Sequence, residues 1–274
     1  MDRNRDESVV ADFGNEWTRF DQSELDEAEL NRMFNNYFDI FPWKDVPKNG
    51  VGFDLGCGSG RWAKLVAPRV GKLHLIDPSD ALNAAKNNLA EFNNCEFHNA
   101  GVDDMPIGDE SCDFGYSLGV LHHIPDTGAG LRSCVSKLKP GAPFLLYLYY
   151  NFDNRPRWFR LIWMGADAIR RLVCVMPNRT KYVVTQIIAG AVYLPLARTS
   201  LVLEMLGVDV ARIPLSQYRR NSFYTMRTDA LDRFGTRLEK RFSKVEIREL
   251  MLKAGLERIV FSERSFWTAM GYKV

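Results

Sequence analysis

The sequence predicts an α/β fold, a doubly wound and mostly parallel sheet with an inserted helical cap. Three observations lead there. Apolar runs of strand length alternate with helical apolar periodicity from Val51 to Tyr150, the order that buries a parallel sheet between two layers of helices. The first run, V-G-F-D-L-G-C-G-S-G from Val51 to Gly60, turns sharply through three alternating glycines into a helical pattern. The stretch 151–242 is far too long for a simple connection, so it reads as a functional insertion with structure of its own.

These patterns divide the chain into an N-terminal helical arm (1–49), a core (50–150), a helical cap (151–242) and a C-terminal helix with a strand hairpin (243–274). In the arm, residues 11–20 are aromatic-rich, and Asp21-Gln-Ser-Glu24 reads as a capping box. The helix after it places Leu30, Met33, Phe34, Tyr37 and Phe38 on one face and ends at Pro42 and Pro47. Strands are expected at 51–55, 73–77, about 95–99, 113–118 and 144–149. Helices are expected from Gly60, after Pro78 and over 127–138.

The cap should open with a helix over 156–176 carrying Trp158, Ile162, Ile169, Leu172, Val173 and Met176. A second helix, from about residue 180, holds an uncharged run of 15 residues, 183–197, interrupted by Pro195. That is shorter than the ~20 residues needed to span a bilayer, so a buried cap helix is expected. Partial insertion into a membrane surface, helped by neighbouring arginines, is the competing reading. Residues 207–227 read as a loop. Ser243-Lys-Val-Glu246 is a second capping box, Gly255 stops its helix, and strands follow at 256–261 and 266–273.

Composition is that of a soluble globular protein, with 46% hydrophobic and 26% charged residues. The charged start M-D-R-N-R-D-E-S lacks the apolar core of a secretory signal, so a cytoplasmic location is expected. Five scattered cysteines without a C-x-x-C pair suit buried thiols in a reducing compartment. The net charge of +2 hides an uneven distribution, with 6 basic and 12 acidic side chains in residues 1–50 against 16 and 7 in residues 151–242. Such asymmetry bears on partners.

The glycine loop invites comparison with a dinucleotide site, and two features oppose that. G-x-G-x-x-G needs a glycine where the chain has Arg61. Asp54, closing the strand before the loop, would repel a pyrophosphate but suits a ligand with an ammonium and a sulfonium. A second carboxylate, Asp77, ends the next apolar run, where it can accept both ribose hydroxyls. The pairing of D-L-G-C-G-S-G with a strand-ending aspartate resembles the class I S-adenosylmethionine-dependent methyltransferases, closely over about residues 50–150 and in outline over the last thirty.

That resemblance implies a seven-stranded sheet with an antiparallel last strand, an N-terminal helix over the cofactor pocket, and S-adenosyl-L-methionine as cofactor, leaving as S-adenosyl-L-homocysteine. By it, Asp54 faces the methionine end, joined by backbone around Leu118 and Gly119, and Asp77 lies at the ribose. Gly56, Cys57, Gly58, Gly60, Trp62 and Pro78 are implied as further cofactor contacts. Gly101-Val-Asp-Asp-Met-Pro-Ile107 resembles the segment around the adenine, with Val102 and Asp103 as contacts and Asp104 as the alternative. Gly101 stands where the family commonly has an acidic residue.

Methyl transfer from a sulfonium is an in-line displacement governed by placement, and a base is needed only for a protonated nucleophile. His122 and His123 follow the fourth strand, and one of them is the candidate general base. Packing at a helix entry is the competing reading. Phe13, Trp17, Tyr149, Tyr218, Arg219, Arg220 and Tyr224 are the candidate substrate contacts, the arginine pair because it can fork a phosphate or carboxylate. Tyr147 and Tyr149 share one strand face and Tyr150 the other. No N-P-P-Y tetrad or Pro-Cys nucleophile follows the fourth strand, and no cluster has metal-ligand spacing in sequence. The expected function is methylation, at oxygen, of a small, sugar-linked or lipid-linked acidic metabolite, with nucleic acid disfavoured as substrate. The alternatives are an RNA or protein methyltransferase docking through the basic cap, and a non-catalytic module that keeps the cofactor fold.

Overall fold

The apolar runs of the core become one seven-stranded sheet. The computed structural model describes residues 4–153, 155–264 and 267–274, and the chain divides into two compact units. The first comprises the chain up to Ser23, Leu30–Asn151 and Leu238–Val274; the second comprises Glu24–Glu29 and Phe152–Arg237.

In the first unit the strands are β1 (Val51–Leu55), β2 (Lys72–Ile76), β3 (Cys95–His98), β4 (Phe114–Leu118), β5 (Pro143–Tyr147), β6 (Leu256–Phe261) and β7 (Ala269–Lys273). Their order is β3-β2-β1-β4-β5-β7-β6. The first five pair in parallel, and β7 runs antiparallel to both β5 and β6. The order reverses between β1 and β4, the switch point beyond whose strand ends open α/β sheets place ligands. Residue 266, where the expected last strand began, lies outside the described residues.

Packing at that central seam is unusually specific. Gly52 pairs with Phe114, and Phe53 with Gly115. A Cβ on Gly52 would stand 2.1 Å from the Phe114 ring, and one on Gly115 would stand 2.4 Å from Phe53. Each aromatic thus lies across the bare backbone of its neighbour, where no other side chain fits.

Helices α3 (Ala63–Val66), α4 (Ala81–Asn88), α5 (Thr127–Lys137) and α10 (Lys244–Lys253) complete the core. Asp126 caps α5, and the Ser243–Glu246 capping box forms in full. The N-terminal arm differs from expectation. The aromatic stretch is itself a helix, α1 (Glu7–Arg19), capped by Asp6. Asp21 spends its carboxylate on the Ser23 N–H and hydroxyl, so the expected capping box does not form. Instead α2 (Glu27–Tyr37) opens with Asp26 accepting the Glu29 N–H at 2.9 Å. Residues 238–242, placed in the cap by the sequence pattern, belong with the core. Phe242 donates its N–H to Tyr149 O and accepts from Asn151, extending the sheet by a short parallel bridge.

The second unit is helical: α6 (Arg157–Val173), α7 (Asn178–Ile188), α8 (Leu194–Met205) and α9 (Phe223–Gly235). Its core joins Val173, Ala189, Tyr193, Ala197, Tyr218, Met226, Ala230 and Phe234. The expected loop over 207–227 already contains the start of α9, which Ser222 caps through the Thr225 N–H. Glu29 adds its carboxylate at the same N-terminus, accepting from Ser222 N at 3.0 Å and Thr225 Oγ1 at 2.7 Å. A π-turn over Ala189–Tyr193 precedes Pro195, absorbing the proline so that one helical rod runs from Asn178 to Met205. The helix expected over 156–176 forms as α6, with its apolar residues divided between its two sides. Trp158, Ile162, Ile169 and Leu172 are exposed, and Arg170 and Val173 are buried.

Candidate active site

The loop after β1 is built from backbone. Gly56, Gly58 and Gly60 have φ of +74°, +52° and +76°, a conformation that side chains resist. Gly56 and Cys57 donate to Ile76 O at 2.7 and 3.2 Å, tying the loop to the end of β2. Asp77 holds the middle, accepting from Gly58 N at 2.9 Å and from the Ser79 N–H and hydroxyl at 2.9 and 2.6 Å. Three of its roughly four acceptor sites are thereby filled from within the chain. The residue expected at the ribose also locks the glycine loop.

Asp54 is buried, and its Oδ2 has no hydrogen-bond partner among the described residues. Burial pushes its carboxyl up to about 8; Tyr116 opposes the rise, the Asp77 charge adds to it and Arg61 opposes it. A buried carboxylate with one oxygen left without a partner is costly to ionise unless a donor or cation meets it. Cys57 beside it is a buried thiol lifted well above the usual range by burial and by the charges of Asp77 and Asp54. Such surroundings disfavour the thiolate on which cysteine reactivity depends.

Helix α1 covers this loop. The Trp17 indole lies 3.1 Å from where a Gly58 Cβ would be, Gly14 sits against Ser79 and Asp80, and the Phe13 ring is 5.0 Å from that of His123. Arg61 stacks over Trp17 and Trp62, and Trp62 meets Tyr37. Pro78 is half-buried between Asp77 and Ser79. At the third loop Val102 is buried, with its carbonyl taken by the Ser133 hydroxyl at 2.5 Å. Asp103 is exposed and accepts the Asn4 N–H, a donor of the same polarity as an adenine amino group; Asp104 instead accepts the Gly101 N–H at 2.6 Å. After β4, Leu118 is half-buried. Gly119 has φ +84° and nothing within 4 Å of the place a Cβ would take, so the backbone there is open to an approaching group.

The two histidines have different surroundings. His122 is fully buried, and neither ring nitrogen has a partner among the described residues. Its ring stacks 3.9 Å from Tyr149, and burial, with His123 and Arg241, holds it well below the usual histidine range. His123 Nδ1 lies 2.6 Å from Leu238 O. A carbonyl only accepts, so that contact fixes the proton on Nδ1 and makes Nε2 the acceptor nitrogen.

Sequence reasoning missed the wall behind them. Arg241 forms a 2.7 Å ion pair with the enclosed Glu239, donates to Tyr150 O and lies over the Tyr149 ring. Lys240 binds the carbonyls of Ile124 and Pro125. The run E-K-R-F carried only a charge signal, and nothing local announced its pairing with β5.

The four candidate substrate contacts of the cap belong to the second unit. Arg219 and Arg220 do fork a carboxylate, but it is Glu204 of their own unit, at 2.6 and 2.9 Å. Those bonds hold Glu204 down at about 2. Tyr218 is buried in the core of that unit against Tyr193, and Tyr224 is half-buried in the first turn of α9.

Strand register brings together three potential ligands that are not spaced as a metal motif in sequence. His74 and His98 meet at 2.9 Å through ring nitrogens, with Glu96 at 3.6 and 3.9 Å. Lys72 takes Glu96 at 2.5 Å, and burial holds both histidines below their usual range. The group is thus satisfied as a neutral imidazole pair and an ion pair.

Residues 53–146 match the family model of a methyltransferase domain. The chain is similar to the ubiquinone biosynthesis O-methyltransferase of Xanthomonas axonopodis pv. citri, 28% identical over 130 residues, covering 46% of this chain and 53% of that protein. The Pseudomonas fluorescens protein of the same name is 29% identical over 154 residues, covering 51% and 63%. The chain spans little more than half the length of the curated relatives it matches. Among solved structures, the 1,6-didemethyltoxoflavin-N1-methyltransferase of Burkholderia thailandensis, solved with 1,6-didemethyltoxoflavin and S-adenosylhomocysteine, superposes with a TM-score of 0.56 at 14% identity over 98% of this chain and 88% of that one. A chain in the complex of the Haloferax volcanii Trm112 methyltransferase activator with a putative methyltransferase scores 0.56 at 15% identity, covering 96% of each. At these identities the likeness is one of fold.

Proposed function

We propose that this chain, whose residues 53–146 form a methyltransferase domain of the class I fold, transfers a methyl group from S-adenosylmethionine to an oxygen of a small acidic acceptor, free or linked to a sugar or lipid. The observation that carries the reading is the buried Asp54 carboxyl, whose Oδ2 has no hydrogen-bond partner among the described residues, at the mouth of a bare glycine loop. An ammonium beside it would supply the missing partner and draw it into its charged form. A pyrophosphate would not.

The residues present fit the cofactor. Asp54 and the Gly56–Gly60 backbone suit its methionine end, Asp77 keeps one acceptor site toward the ribose, and Asp103 already holds a donor of the kind adenine offers. When bound, S-adenosylmethionine supplies an electrophilic methyl group on a sulfonium. The chain's own task is to orient the acceptor and take its proton. His123 is suited to this, because Leu238 O fixes the tautomer whose Nε2 accepts. His122, neutral and stacked under Tyr149, holds the histidine turn in place. Oxygen is favoured by His123 and by the names of the curated relatives, while the structural neighbour named as an N1-methyltransferase is a reminder that the fold alone does not choose the atom.

Labelled S-adenosylmethionine offered with phenols, hydroxy acids and matched amines tests this. Turnover on oxygen acceptors should fall about 100-fold or more in His123→Asn, with S-adenosylhomocysteine affinity retained. Turnover confined to amines and indifferent to that substitution would contradict it.

A further inference from the structure

The second unit shows solvent an unusual surface. On α6, Trp158, Leu161, Ile162, Gly165, Ile169 and Leu172 fall on one stripe, and Leu161, Ile162 and Leu172 are 68%, 53% and 66% exposed. The same helix turns its polar pair inward. Asp167 and Arg170 bridge at 2.8 Å with little exposure, and Arg170 also binds the carbonyls of Thr236 and Arg237. An apolar face outside and an ion pair inside invert the usual arrangement for a helix meeting water.

The rod from Asn178 to Met205 repeats the theme. Lys181, Thr185, Ala189, Tyr193, Ala197 and Ser200 are buried within the unit, whereas Val183, Ile187, Val192 and Val202 are exposed. At 28 residues it is long and apolar enough to cross a membrane by length and composition. Crossing would strip the packed side from α9 and strand Lys181 in hydrocarbon.

We propose that the second unit seats on the surface of an anionic lipid bilayer through the outer faces of α6 and the 178–205 rod. Charge decides the occupant. The exposed arginines Arg157, Arg160 and Arg171 line one margin of the α6 stripe, and the only acid in that helix, Asp167, faces inward to Arg170 and Arg171. Arg160 additionally reaches Asp153 at 3.4 Å, across an exposed pair of little strength. A second copy laid on this face would bring arginine against arginine, with the one carboxylate of the helix, Asp167, already held between Arg170 and Arg171. Anionic headgroups complement the margin while acyl chains receive the stripe, the pattern of an interfacial helix with Trp and Leu on one face and Arg beside it. The seat does not depend on which acceptor is methylated.

Flotation of the full chain with phosphatidylcholine vesicles, with and without phosphatidylglycerol, tests this. Binding should require the anionic lipid and weaken in high salt. Leu161→Glu with Leu172→Glu should reduce it by at least about tenfold, and Arg157→Gln with Arg160→Gln and Arg171→Gln should abolish the preference for phosphatidylglycerol. Circular dichroism melting should be unchanged, since these side chains are exposed. Quenching of Trp158 by brominated lipid, subtracting a Trp158→Phe variant, reads the contact in the otherwise native chain. No flotation, equal flotation without anionic lipid, or no Trp158 quenching overturns the proposal. So does a dimer in sedimentation velocity that the double leucine variant dissociates in a chain that fails to float.

Discussion

At the scale of single residues, burial of the Asp54 carboxyl makes its ionisation costly to the fold. Its folded carboxyl titrates at about 8, against 3.8 for an ordinary one. Between those values the folded chain keeps a proton that the unfolded chain has released. Stability therefore falls as pH rises through that window, by at most about 1.4 kcal/mol per pH unit, and the loss is complete above pH 8. Asp54→Asn removes the titration, so its gain in chemical-denaturation stability over the parent should grow from pH 4 to 8 and then level. Binding a cationic ligand should also release a proton at neutral pH, which calorimetry in buffers of different ionisation enthalpy reads directly. These residues were legible because the chemistry is local: three glycines, one aspartate before them and one at the next strand end. Arg219 and Arg220 misled because the carboxylate that answers them, Glu204, lies a helix away. Asp103 and Asn4, or His74 and His98, meet only through long-range placement that no window of sequence displays.

At the scale of elements, the β1–β4 seam depends on two glycine–phenylalanine pairs. Gly115→Ala puts a methyl group into the Phe53 ring, and both lie on central strands that cannot move apart. We expect a loss of about 1–3 kcal/mol, seen as a lower melting temperature, with a smaller effect from Gly141→Ala where nothing stands within 4 Å and only its φ of +78° resists. The strands were readable from period and length, and the Ser243–Glu246 cap from its spacing. Helix α9 was hidden because Ser222, its cap, stands among turn-like residues, and because Glu29, far away in sequence, completes its N-terminus. On α6 the helix was legible and its inward face was not. Hydrophobicity tells which residues share a face, not which face the unit buries, and here Arg170 is neutralised by Asp167 and two carbonyls and takes the inside.

At the scale of the whole molecule, the sequence differs by region: an acidic start, a glycine-loop core and a basic, apolar insertion. Its basic excess is partly spent within the unit, on Glu204, Asp167 and backbone carbonyls. What remains outward is an arginine margin beside apolar stripes, a combination that suits lipid better than polynucleotide. The methyltransferase reading itself rests on the core, and one titration tests it most directly. The purified chain should bind S-adenosylmethionine and S-adenosylhomocysteine with dissociation constants in the micromolar range by isothermal calorimetry, show no heat with NAD, and lose both ligands in Asp77→Ala, which frees Gly58 and Ser79. Saturable binding of NAD, with neither sulfur ligand bound, would contradict it.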